Sequence, residues 1–255
     1  MRFAVKVATG VLALAAMSSP VIGQDQVRIG TEGAYPPFNF FDSNGELQGF
    51  DVDIAKALCA EMAVECEFVA QDWDGIIPAL IANKYDAIIA SMSITEERKE
   101  VVDFTNKYYS TPPAMIVPKD SDLSAADPTT LAGKTVGAQS STTHATFLEG
   151  EYGDSSIKLY GTQDEANLDL VSGRLDAVVA DAVVLSEWLE TDDGACCKVL
   201  AALPNDPAYF GEGAGIAIRK GEDELREKFN AAIEAILANG TYKEINDKYF
   251  DFSAY

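Results

Sequence analysis

The sequence predicts an α/β protein built from two similar halves that face each other across a cleft. Two observations carry this expectation. Short apolar runs of strand length alternate with segments of helical period, the pattern of strand–helix–strand units. The stretch from Asp74 to Ser91 then recurs from Asp164 to Asp181, at an offset of 90 residues throughout and with no gap. Each copy reads as a helix, a turn, an Asp, a four-residue apolar strand and a polar residue where the strand ends.

Taken in order, residues 1–23 read as a secretory leader. Arg2 and Lys6 form its positive start, and Ala8 to Met17 form its short apolar run. Pro20 breaks any helix before Val21-Ile22-Gly23 offers a cleavage site. The apolar run is too short for a spanning anchor, and no Cys follows it to carry a lipid. Val27 to Gly30 is a short strand, followed by a loop rich in Gly, Tyr and Pro through Phe38. Gly49 to Asp53 opens a helix in which Ile54, Ala57, Leu58, Ala60 and Met62 recur near helical period. Val64 to Ala70 alternates as a strand. Ile76 to Ala82 is helical, with Pro78 in the first turn where its missing N–H costs little. Asp86 to Ala90 is a continuous apolar strand of the buried, parallel kind. In the second half, Lys134 to Gly137 echoes Arg28 to Gly30, and the loop from Gln139 to His144 follows it. Gly211 to Gly215 leads into a strand at Ile216 to Ile218, so it is no dinucleotide fingerprint.

Ser91 and Asp181 therefore fall at equivalent strand ends. Ligands of open parallel sheets bind outside the carboxyl ends of strands, so function is expected there.

Charge narrows the partners. With 41 Asp and Glu against 19 Lys and Arg, the net charge of −22 disfavours nucleic acid and anionic membranes. Removing 23 residues, with the charges of Arg2 and Lys6, from the 255-residue chain leaves 232 residues at −24. Export permits disulfides. A short loop can bring Cys59 and Cys66 together. Cys196 and Cys197 either close a strained ring or stay free, and the absence of a C-x2-C spacing argues against a metal site. No G-x-S-x-G, H-E-x-x-H or Walker loop is present, and no cofactor is expected. The single histidine, His144, has no activating set around it and reads as a polar contact rather than a base.

The segment Ser91 to Arg98 is the informative cluster. Ser93 or Thr95 can cap the helix that follows. The same segment sets two hydroxyls, helix N–H groups and an Arg at a strand end, a combination suited to a carboxylate. A solvated Arg98 paired with a neighbouring Glu is the competing reading.

Six motifs occur in order: Thr31 to Phe38, Gly49 to Asp53, Asp72 to Leu80, Ser91 to Arg98, Gly173 to Ala177, and the closing Gly240-Thr-Tyr with Lys248 to Phe252. Together they resemble the periplasmic polar-amino-acid-binding proteins of ABC importers (solute-binding protein family 3), closest to the lysine/arginine/ornithine- and histidine-binding group. The resemblance covers essentially the whole mature chain. It implies a type II, Venus-flytrap binding protein, each lobe a mixed sheet flanked by helices, with two hinge crossings. Lobe 1 would hold residues 24–111 plus 206–255 and lobe 2 residues 112–205. The crossings would lie near Ser110 to Pro113 and Leu203 to Asp206.

Carried onto this sequence, the resemblance gives Arg98 the ligand α-carboxylate, helped by Ser93, Thr142 and Thr143. Asp181 and Ser91 would take the α-ammonium, Tyr35 and Trp73 would sandwich the side chain, and Glu32 would meet its distal end. Met92, Gln139 and His144 would be secondary contacts, and Cys59–Cys66 matches a disulfide of the basic-amino-acid branch. Glu32 stands where that group commonly has Asp, Trp73 where it has a smaller residue, and Ala90 where a Ser often contributes a hydroxyl. Gln139 replaces an apolar residue and His144 a residue that is often Gln.

Charge then selects the ligand. Arg98, Asp181 and Glu32 sum to −1, and a zwitterion satisfies only the first two. A cationic side chain closes the count, because buried charge without a partner is disfavoured. Arginine, ornithine or lysine is therefore expected, delivered to a membrane permease by a non-enzymatic, monomeric periplasmic protein. If Glu32 faces solvent or is protonated, neutral polar amino acids re-enter; histidine, glutamine or an opine is the alternative ligand, an opine needing His144 or Gln139 as a further donor for its extra carboxylate. A cyclohexadienyl dehydratase would need a dianionic substrate, which the count opposes. Trp73 has a competing reading as ordinary core.

Overall fold

The computed structural model describes residues 26–255, and the leader expected over residues 1–23 lies outside the described residues. Strand β1 (Gln26–Thr31) leads into a small meander of β2 (Ala34–Tyr35), β3 (Asn39–Phe41) and β4 (Leu47–Gln48). Helix α1 (Phe50–Glu61), β5 (Glu65–Ala70), α2 (Ile76–Ile81), β6 (Ala87–Ile88), α3 (Glu96–Lys99) and β7 (Val102–Tyr109) follow. A second series comprises β8 (Pro113–Pro118), β9 (Thr135–Gln139), α4 (Thr143–Glu151), β10 (Ser156–Tyr160), α5 (Gln163–Val171), β11 (Ala177–Asp181), α6 (Ala182–Leu189) and β12 (Cys197–Ala202). After α7 (Pro207–Phe210), the chain returns through β13 (Ala214–Arg219), α8 (Asp223–Asn239) and α9 (Thr241–Tyr249).

The strands form two five-stranded sheets, in the orders β5-β1-β6-β13-β7 and β10-β9-β11-β8-β12. Both are mixed. In the first, β1 runs parallel to β5 and β6, while β13 is antiparallel to β6 and β7. In the second, β9 runs parallel to β10 and β11, while β8 is antiparallel to β11 and β12. The chain crosses between the sheets after β7 and again before β13.

The echo read in the sequence is also an echo in packing. Ile29 and Gly30 pair with Ala87 and Ile88; Val136 and Gly137 pair with Ala177 and Val178 in the same register. Asp86 accepts from the Arg28 N–H at 2.9 Å, and Asp176 accepts from the Thr135 N–H at 2.7 Å. The glycines are matched too. A Cβ on Gly30 would sit 2.4 Å from the Tyr85 ring, and one on Gly137 would sit 2.4 Å from Leu175. Each Gly lets a large buried side chain, displaced by 90 residues from its counterpart, cross a central strand.

Three departures from the sequence reading have local causes. The Gly- and Pro-rich loop contains β2 and opens the β2–β4 meander, whose strands of two or three residues are too short to display a period of two. The strand expected over Asp86 to Ala90 is reduced to Ala87–Ile88, because the chain turns into a left-handed Ser91 at φ 55°. The buried stripe of α1 runs through Phe50, Ile54, Ala55, Leu58 and Cys59, whereas Ala60 is exposed and Ala57 and Met62 only half-buried.

Cys59 and Cys66 are bonded, tying the end of α1 to β5 across seven residues. Closing so short a loop contributes about 2–3 kcal/mol in the chain-entropy picture. Cys196 and Cys197 are bonded to each other, so the alternative of free thiols does not hold. Among the described residues no helix is long and apolar enough to cross a membrane, and no cluster of His, Cys, Asp and Glu could hold a metal.

Candidate functional site

The strand ends of the two sheets meet around a cleft that leaves about 330 Å³ of space between protein atoms, open solvent included. From the first sheet's side Glu32, Tyr35, Trp73, Ser91, Ser93 and Arg98 line it, with Ala90. From the second come Thr142, Thr143 and Asp181, with Gln139 and His144. Met92 does not belong. Its side chain is fully buried in a core with Ile76, Leu80 and Tyr85. Burying this apolar side chain is favoured over exposing it in a polar cleft.

Arg98 is placed by a capped turn. Thr95 is the N-cap of α3, its hydroxyl accepting from the Arg98 N–H at 3.2 Å. The Arg98 guanidinium donates to the carbonyls of Ser93 at 3.0 Å and Ser141 at 3.2 Å, and lies 5.4 Å from the Trp73 ring centre. No carboxylate forms an ion pair with it among the described residues, although Glu97 lies nearby. Desolvation lowers its pKa to about 10. It is a fixed cation that lacks an anion.

Asp181 ends β11 and is held by two hydroxyls. Thr111, at the first crossing, donates to Oδ1 at 2.7 Å, and Tyr35 donates to Oδ2 at 2.7 Å from the other sheet's side. Glu32 accepts from Gln139 Nε2 at 2.6 Å across the cleft. Burial pushes the Glu32 carboxyl up to about 7, offset in part by that bond and reinforced by Asp72, Asp164 and Asp74. His144 is buried beside Phe210, and desolvation lowers its pKa, so it carries no charge at neutral pH. The charged lining is therefore Arg98, Asp181 and Glu32.

Thr142 differs from expectation in its hydroxyl. As N-cap of α4 it accepts from the Ala145 N–H at 3.1 Å and donates to the Gln139 carbonyl at 2.7 Å, which uses its one proton. What this turn offers an anion is the first-turn N–H groups of α4, which lack intrahelical acceptors. Next to it, Ser141 adopts φ 56°, and its carbonyl receives both Arg98 and the Trp73 indole N–H at 3.1 Å. The hydroxyls of Ser140 and Ser141 donate to Asp74 at 2.7–3.0 Å. These bonds join the two sides of the cleft. Sequence reading left out Asp74, Thr111, Ser140 and Ser141, because pairing across a cleft has no spacing along the chain.

The sequence profile of the bacterial extracellular solute-binding proteins, family 3, matches residues 27–252. The chain belongs to this family. This family 3 protein is 50% identical over 251 residues to the L-arginine-binding protein of Pseudomonas aeruginosa, covering 96% of each. It superposes with a TM-score of 0.83 and 41% identity on an ancestral arginine-binding protein bound to arginine, covering 89% of this chain and 99% of that one. The same score and identity, with 90% and 99% coverage, hold for an ancestral arginine-binding protein bound to glutamine. The two-lobed binding-protein fold expected from the sequence is the fold of these relatives, and the relatives are binding proteins.

Proposed function

We propose that this protein captures a basic amino acid, arginine foremost, in the periplasm and delivers it to the permease of an ABC importer. The observation that carries the reading is the charge of the cavity. A fixed guanidinium with no ion-pair partner among the described residues lines the same cavity as two carboxylates, Asp181 and Glu32. An α-carboxylate on Arg98, an α-ammonium on Asp181 and a side-chain cation at Glu32 bring every charge to a partner. Tyr35 and Trp73 add aromatic surface that favours a planar guanidinium. The high identity to an arginine-binding relative supports the same choice.

The protein acts as a monomer with two lobes, residues 24–111 plus 206–255 and residues 112–205, hinged at Ser110 to Pro113 and Leu203 to Asp206. Within this division α7 packs on the second lobe, through Tyr209 and Phe210. Residues 1–23 direct export and are removed. No chemistry is assigned to the cleft, since a lining that sums to −1 opposes the dianion of a dehydratase. Glutamine is the second reading. It is favoured by the Glu32 carboxyl near pH 7, which when protonated can donate to a neutral amide.

A thermal-shift screen of residues 24–255 against the common amino acids, ornithine, octopine and prephenate tests the proposal. Arginine at a hundredfold excess over its Kd should stabilise by about 2.7 kcal/mol, roughly 5–10 °C for a chain of this size. A larger shift with glutamine, or none with any basic amino acid, would refute it.

The Asp74 contacts make a separate prediction. Asp74 is absent from the cavity lining, so Asp74→Ala should weaken closure without changing selectivity. With the pair exposed, about 1 kcal/mol is expected, roughly a fivefold faster release. Stopped-flow fluorescence should show the same acceleration for arginine, lysine and glutamine; a change confined to one ligand would place Asp74 in recognition instead.

A further inference from the structure

Beneath the cavity lies a carboxylate that none of these roles employs. Asp51, in the first turn of α1, is fully buried. Its Oδ1 accepts from the Tyr108 hydroxyl at 2.7 Å; its Oδ2 accepts from Asn39 Nδ2 and from Ser91 Oγ, each at 2.9 Å. No Lys, Arg or His forms a salt bridge with it among the described residues. A buried carboxylate without a cation is expensive to maintain, yet here three donors are aimed at it.

The consequence falls on Ser91. An ionised carboxylate only accepts hydrogen bonds, and a hydroxyl has a single proton to give. The proton of Ser91 is committed to Asp51, so its lone pairs are what it presents to the cavity it lines. The left-handed backbone of Ser91 is fixed by the same group of residues, since its N–H donates to the Tyr108 hydroxyl at 3.3 Å.

We infer that Asp51 is a positioning residue that makes Ser91 a hydrogen-bond acceptor for the ligand α-ammonium, and that it thereby sets the preference of the cleft for ligands carrying that group. The inference rests on the basic-amino-acid reading above. Burial raises the Asp51 carboxyl to about 6 against the pull of its three donors, so it is ionised at neutral pH. Removing the carboxylate takes away the acceptor of the Ser91 proton and frees that proton to turn toward the ligand ammonium; an amide would not, because Asn39, whose Oδ1 accepts from the Gly33 N–H, donates to the same oxygen that Ser91 uses and holds an acceptor there.

The test compares arginine with 5-guanidinopentanoic acid, which is arginine without its α-ammonium, by calorimetry and competition on Asp51→Ala, Ser91→Ala and the double variant. Asp51→Ala should bind arginine at least tenfold more weakly while changing the deaminated analogue less than twofold. In the Ser91→Ala background the Asp51 substitution should alter arginine affinity less than threefold. Tyr108→Phe, which leaves the acceptor of the Ser91 proton in place at a position outside the cavity lining, should change the two affinities by the same factor. If Asp51→Ala does not fold, Asp51→Leu, which fills the site with no acceptor, carries the test. Equal losses for both ligands on substituting Asp51, or additive losses in the double variant, would overturn the positioning role alone. A wild-type protein that binds no basic amino acid would overturn the functional reading and this role with it.

Discussion

Arg98→Ala should lower arginine affinity by two to four decades. The guanidinium is already oriented, with its two protein hydrogen bonds going to backbone carbonyls, which neutralise none of its charge. A ligand carboxylate entering the cleft would supply the missing anion. Truncating the side chain leaves that carboxylate desolvated with no countercharge, a loss of about 3–5 kcal/mol for a buried pair, which converts to the stated range. The variant also gives up the Arg98–Ser141 bond across the cleft, so closure weakens with recognition. Arg98→Lys keeps the charge but not the two-pronged donor geometry and should fall between the two. Calorimetry on the ligand-free protein reads all three; an alanine variant within threefold of wild type would sink the carboxylate assignment.

Glu32→Gln should separate ligands that arginine-binding and glutamine-binding readings treat alike. Glu32 is half-buried, so its worth lies at the lower end of the range for a charge pair, about 2 kcal/mol or roughly thirtyfold against arginine. Glutamine, which brings no distal charge, should change less than threefold. The acid–base consequence has a definite sign. Without a cation beside it, burial holds the Glu32 carboxyl at about 7 in the closed cleft. A ligand guanidinium lowers that value, so the arginine complex binds fewer protons than the empty closed cleft. Arginine affinity is then fully developed above about pH 7 and falls as pH drops below it, by at most tenfold per unit. In Glu32→Gln the slope should vanish. Equal losses for arginine and glutamine, or an unaltered slope, would remove Glu32 from the distal position.

The sequence disclosed most readily what repeats locally. The units ending at Ser91 and Asp181 were legible because a helix, an Asp and an apolar strand each have a period or a fixed place. The cavity residues followed once the strand ends were located and the motifs were compared with a family. The β2–β4 meander escaped because its strands are shorter than the pattern that reveals a strand. Asp51 escaped for another reason: an acid in a first helical turn is already explained by the helix dipole, so nothing marks it as the partner of Ser91, 40 residues away. Gln139 read as a polar intruder in an apolar position until its partner, Glu32, proved to lie 107 residues distant on the other side of the cleft. Met92 was the opposite case, since an apolar side chain among hydroxyls already argues for the core rather than the cleft.

The matched glycines and aspartates of the two sheets give the molecule an approximate internal twofold plan. A cradle with true twofold symmetry would receive an elongated ligand equally well in either direction. Here the equivalent strand ends have diverged, one to a hydroxyl and the other to a carboxylate, and the cation has no counterpart in the other half of the cavity lining. The divergence gives the cradle a head and a tail. A bound amino acid would then lie only one way, its α-carboxylate toward Arg98 and its α-ammonium toward Asp181.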